Sequence, residues 1–99
     1  MRVNNFDPTI KPLIPGYLAR RRDDLSIMRQ ALAEADFGQI GSLAQNLDQS
    51  CSEYGLAMLS ATASRLRLAA EQSDSDTTRE AIMELESALE KLIEAARDE

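Results

Sequence analysis

The chain has 99 residues, is 43% hydrophobic and 28% charged, and carries a formal net charge of −6, which is the length of one domain and the balance of an ordinary globular fold. Its basic residues form no patch beyond Arg20, Arg21 and Arg22, which argues against non-specific binding to nucleic acid or to an anionic membrane, since both need concentrated positive charge. Met1 to Phe6 contains no apolar signal core and no stretch approaches the roughly 18 apolar residues of a membrane span, so a soluble, cytoplasmic protein is expected.

The core must be built from Leu, Ile, Ala and Met, because there are two Tyr, two Phe and no Trp, and Val3 is the only valine. That inventory favours packed helices over a β-sandwich, which draws on β-branched and aromatic residues. Cys51 is the only cysteine, so no internal disulfide forms, in keeping with a reducing compartment.

Residues 1–7 are expected to be a flexible N-terminus to a single domain spanning 1–99. Asp7 followed by Pro8 reads as an N-cap with proline at the first helical position, opening a short extra helix. Pro12 and Pro15 interrupt it, since each lacks an N–H and restricts the residue before it. From Pro15 to about Ala35, Leu18, Leu25, Met28 and Leu32 recur at helical spacing. Asp36 with Gln39 resembles a capping box, so the next helix starts near Phe37. Ile40, Leu43, Ala44, Leu47, Cys51 and Tyr54 make its apolar stripe, confined to an arc of roughly 80°, and Gly55 is placed to end it.

Leu56, Leu59, Ala63, Leu66 and Ala70 form the following stripe, which ends in Ser73-Asp74-Ser75-Asp76. Thr77 and Glu80 read as a second capping box, ahead of Ile82, Leu85, Ala88, Leu89, Leu92 and Ala96 on the last helix. Amphipathic helices joined by short loops bury their stripes against one another. The expected fold is therefore all-α, an antiparallel up-down-up-down four-helix bundle with the short N-terminal helix over one end.

The segment Leu43-Ala44-Gln45-Asn46-Leu47-Asp48-Gln49-Ser50, followed by Tyr54-Gly55, resembles the active-site helix of histidine-phosphotransfer (HPt) domains, whose motif runs close to Leu-Ala-His-x-Leu-Lys-Gly-Ser ahead of a Tyr-Gly or similar pair. Leu43, Ala44, Leu47, Ser50, Tyr54 and Gly55 match that framework. The stretch from Leu13 to Asp36 also looks like the preceding helix of stand-alone bacterial members, so the resemblance runs from about Asp7 to Leu92. It implies a four-helix bundle and a place in two-component phosphorelay signal transduction.

The chemical positions depart from the family pattern. Gln45 stands where the resemblance places the phospho-accepting histidine, Asp48 where it places a lysine, and Gln49 where it places a glycine. Phosphoryl relay needs a nucleophilic ring nitrogen. The Gln45 amide has none, and the chain contains no histidine. Exchanging a lysine for Asp48 turns attraction for a phosphoryl group into repulsion. The resemblance thus implies a non-catalytic protein, not an enzyme, with no cofactor and no metal. Its partner would be a response-regulator receiver domain or a sensor histidine kinase.

On a helical wheel Gln45, Asp48, Gln49 and Ser52 cluster away from the apolar stripe, with Gly38 and Gly41 on the same side, and these six residues are the candidate partner-binding face. Gln45 reads either as a contact residue of that face or as drift at an abandoned site. The basic run at Arg20 reads as a solvated helix face with local ion pairs, and Cys51 as a small core residue. Glu80, Glu84, Glu94 and Asp98 share a face but lack a histidine and include Lys91 among them, so they read as solvated rather than metal-binding. The rival functional class is a structural or assembly module outside phosphorelay signalling.

Overall fold

The computed structural model describes residues 11–53 and 56–97. The described residues are all-helical, with a 3-10 turn at Lys11–Leu13 and then α1 (Ile14–Ala33), α2 (Phe37–Glu53), α3 (Ala57–Glu71) and α4 (Ser75–Arg97). Helix α1 packs against α2 and α4, and α3 packs against the same two helices. Among the described residues the diagonal pairs α1–α3 and α2–α4 do not approach each other. Two helices by two, each about 10 Å across, account for the cross-section of a body measuring 39 × 19 × 19 Å. The arrangement is compatible with a four-helix bundle. The flexible terminus expected at 1–7, the helix expected at Asp7-Pro8 and the cap expected at Tyr54-Gly55 lie outside the described residues.

Helix α1 begins at Ile14, so Pro15 occupies the first turn, where its missing N–H costs nothing because the first four helical N–H groups have no intrahelical acceptor. The helix stops at Ala33, two residues short of the expected Ala35. Ala35 instead takes a left-handed conformation, φ 56°. Its N–H bonds the Leu32 carbonyl at 3.0 Å while the Asp36 N–H returns to Ala31 at 2.8 Å, the paired bonds of a Schellman ending.

The same ending recurs at α3. Ser73 has φ 52°, and the N–H groups of Ser73 and Asp74 each bond a carbonyl at 3.0 Å, those of Ala70 and Ala69 respectively. In both connections the aspartate that completes the ending also caps the following helix. Asp36 Oδ1 accepts the Gln39 N–H at 3.2 Å, and Asp74 Oδ1 accepts the Thr77 N–H at 3.1 Å. Helix α2 therefore starts at Phe37 as its pattern predicts. Helix α4 starts at Ser75, two residues before the expected cap at Thr77, because Asp74 holds both the N–H and the hydroxyl of Thr77.

The core follows the apolar stripes. Leu18, Leu25 and Met28 of α1, Ile40, Ala44, Leu47 and Cys51 of α2, all five stripe residues of α3, and Ile82, Leu85, Leu89 and Leu92 of α4 are buried. Leu32, Leu43 and Ala88 pack against this core from partly buried positions. Ile14, Tyr17, Ala31, Ala69, Ala81 and Thr78 are buried as well, although the stripes did not include them. No helix among the described residues is long and apolar enough to cross a membrane.

Candidate functional site

The candidate face lies on α2, which has its buried stripe on one side and two polar flanks. Gln45, Gln49 and Ser52 are exposed and Asp48 is half-buried. Together with Glu53 they line a surface concavity of about 560 Å³. Glu53 was not among the residues picked out by the motif. It follows Gln49 by one helical turn, and that spacing was the available signal.

Gly38 and Gly41 do not line this concavity. Gly38 is exposed, and a Cβ there would come no nearer than 3.8 Å to Asp36 Oδ1. Gly41 is half-buried, and a Cβ there would sit 3.9 Å from the Ala70 Cβ, which places it against α3. Asp48 leans the same way, since its Oδ1 accepts a hydrogen bond from the Ser60 hydroxyl of α3. The six residues thus do not form one outward face opposite the core. At about 100° per residue, Gly41 lies only about 60° around the helix from the fully buried Ala44, so its stripe borders the core and meets the neighbouring helix.

The other flank of α2 is tied to α1. Ser50 Oγ lies 2.9 Å from the Tyr17 hydroxyl, accepts from Arg21 Nη1 at 3.2 Å, and donates to the Leu47 carbonyl at 3.2 Å. The Tyr17 hydroxyl also lies 3.1 Å from Cys51 Sγ. One proton order satisfies all of them: the thiol donates to Tyr17, Tyr17 to Ser50, and Ser50 to Leu47. The Arg21 guanidinium sits 4.8 Å above the Tyr17 ring and its Nε is 3.0 Å from Asp24 Oδ2. Arg20 and Arg22 are exposed and Arg21 makes the local ion pair expected of this run, but Arg21 also belongs to the α1–α2 interface. Its neighbour Arg22 is exposed and lines a smaller cleft with Glu90, Ile93 and Glu94 of α4.

Burial dominates the acid–base behaviour of this network. It pushes the Tyr17 phenol well above its usual range, and the thiol partner adds to the effect. It also raises the Cys51 thiol, against the opposing pull of Tyr17 and Arg21. A fully buried thiol held neutral is a poor nucleophile, in line with Cys51 as a core residue.

Chemically, the concavity offers amide groups from Gln45 and Gln49, a hydroxyl from Ser52, and carboxylates from Asp48 and Glu53. These groups bind by hydrogen bonding and negative charge. Among the described residues no group of three or more His, Cys, Asp or Glu side chains is arranged to hold a metal ion. In comparisons with known proteins the chain matches no family model, no curated protein and no solved structure.

Proposed function

We propose that this chain is a degenerate histidine-phosphotransfer protein of two-component signalling, docking a response-regulator receiver or a sensor histidine kinase without accepting a phosphoryl group. The observation that carries this reading is the division of the motif on α2. Its framework residues Ala44 and Leu47 are buried and Ser50 is tied to α1, while the substituted positions Gln45, Asp48 and Gln49 share one concavity. A polar, non-nucleophilic surface on an intact helical frame suits competition with an active phosphotransfer domain, or sequestration of a receiver. The setting is cytoplasmic, and neither nucleic acid nor membrane is a partner.

The bundle belongs to this reading as an antiparallel up-down-up-down arrangement. Tyr17 near the start of α1 meets Ser50 near the end of α2, and Ser60 near the start of α3 meets Asp48 of α2. Arg22 of α1 shares its cleft with the late residues Glu90 to Glu94 of α4.

The test is affinity capture from lysate of the source organism with wild-type bait and with a Gln45→Arg, Asp48→Lys variant. Receivers or histidine kinases enriched by the wild type alone support the proposal. Acid-labile phosphate appearing on the protein after incubation with a phosphorylated receiver would sink it. A second reading, an assembly module outside phosphorelay, draws on the exposed apolar side chains Met58, Leu68 and Met83. Concentration-dependent mass in light scattering, with no two-component protein captured, would favour it.

A further inference from the structure

We draw no further inference here: the strongest candidate, the surface concavity toward the C-terminal end of α2 lined by Gln45, Asp48, Gln49, Ser52 and Glu53, belongs to the site already described, and nothing in the structure shows what covers it.

Discussion

The phenol oxygen of Tyr17 on α1 lies 2.9 Å from the hydroxyl oxygen of Ser50 on α2, where the two helices meet. Through Ser50 the bond reaches Arg21 and the Leu47 carbonyl, and Tyr17 itself touches Cys51. A partly buried polar network of this kind favours one rotation of the two helices about their axes, because other rotations break its bonds.

Tyr17→Phe keeps the ring and removes the hydroxyl. It leaves Ser50 and Cys51 short of a partner, so the expected loss is about 1–2 kcal/mol, measured as a lower urea midpoint with an unchanged slope. The wild type should also lose stability in alkali. The folded-state values of Tyr17 and Cys51 are raised above their ordinary 10.0 and 9.0. The neutral forms therefore contribute stability that is complete below pH 9 and declines as the unfolded chain deprotonates above it. Each group contributes about 1.4 kcal/mol per pH unit while only the unfolded state titrates. A urea midpoint that stays flat between pH 8 and pH 11 would contradict this, and in Tyr17→Phe the slope attributable to the phenol should vanish.

Ala35 and Ser73 hold left-handed backbone, with φ 56° and 52°, at a cost of about 1 kcal/mol for a residue bearing a Cβ. Ala35→Gly and Ser73→Gly should therefore each stabilise the protein by up to about 1 kcal/mol, reduced slightly by the greater freedom of glycine in the unfolded chain. Because the two sites lie in separate connections, the double variant should show the sum. Thermal melts of the three variants check both statements.

Asp74 caps α4 through the N–H and hydroxyl of Thr77, and these bonds hold its carboxyl below the usual carboxylate range. A depressed folded-state value means that the cap contributes above the unfolded value and is lost as pH falls through the folded one. Asp74→Ala should lower the denaturation midpoint at pH 7 through loss of the cap. The deficit relative to wild type should shrink as pH drops below 4, and chemical denaturation at pH 7 and pH 3 reads it out.

Thr78 is fully buried near the start of α4, and its hydroxyl has no hydrogen-bond partner among the described residues. Thr78→Val replaces that hydroxyl with a methyl of nearly the same shape, so a gain of up to about 1 kcal/mol is expected. An unchanged or lower melting temperature would mean that the hydroxyl has a partner after all.

Apolar periodicity is enough to locate all four helices, because each buried stripe recurs at helical spacing. Every stripe residue of α3, from Leu56 to Ala70, is buried. Tyr17 and Thr78 escape such a pattern, since each carries a polar group on a residue that packs like an apolar one. The start of α4 is ambiguous in the sequence because Asp74, Asp76 and Thr77 are all competent caps. The left-handed turn at Ser73 decides among them by placing Asp74 over the first turn. For the candidate face, the wheel of a single helix places Gly41 and Gln45 on neighbouring stripes. It carries no information on which flank the next helix covers, and so the contact of Gly41 with Ala70 and the bond from Ser60 to Asp48 are legible only in three dimensions.

Asp36 and Asp74 each belong to two motifs at once, closing one helix with a backbone N–H and opening the next with a carboxylate. No residue is left over between those roles, so neither helix end can fray without loosening the start of its neighbour. The end of α1 is thereby coupled to the start of α2, and the end of α3 to the start of α4. In hydrogen exchange the amides flanking a connection should share one opening free energy, and an inserted residue at either connection would uncouple them.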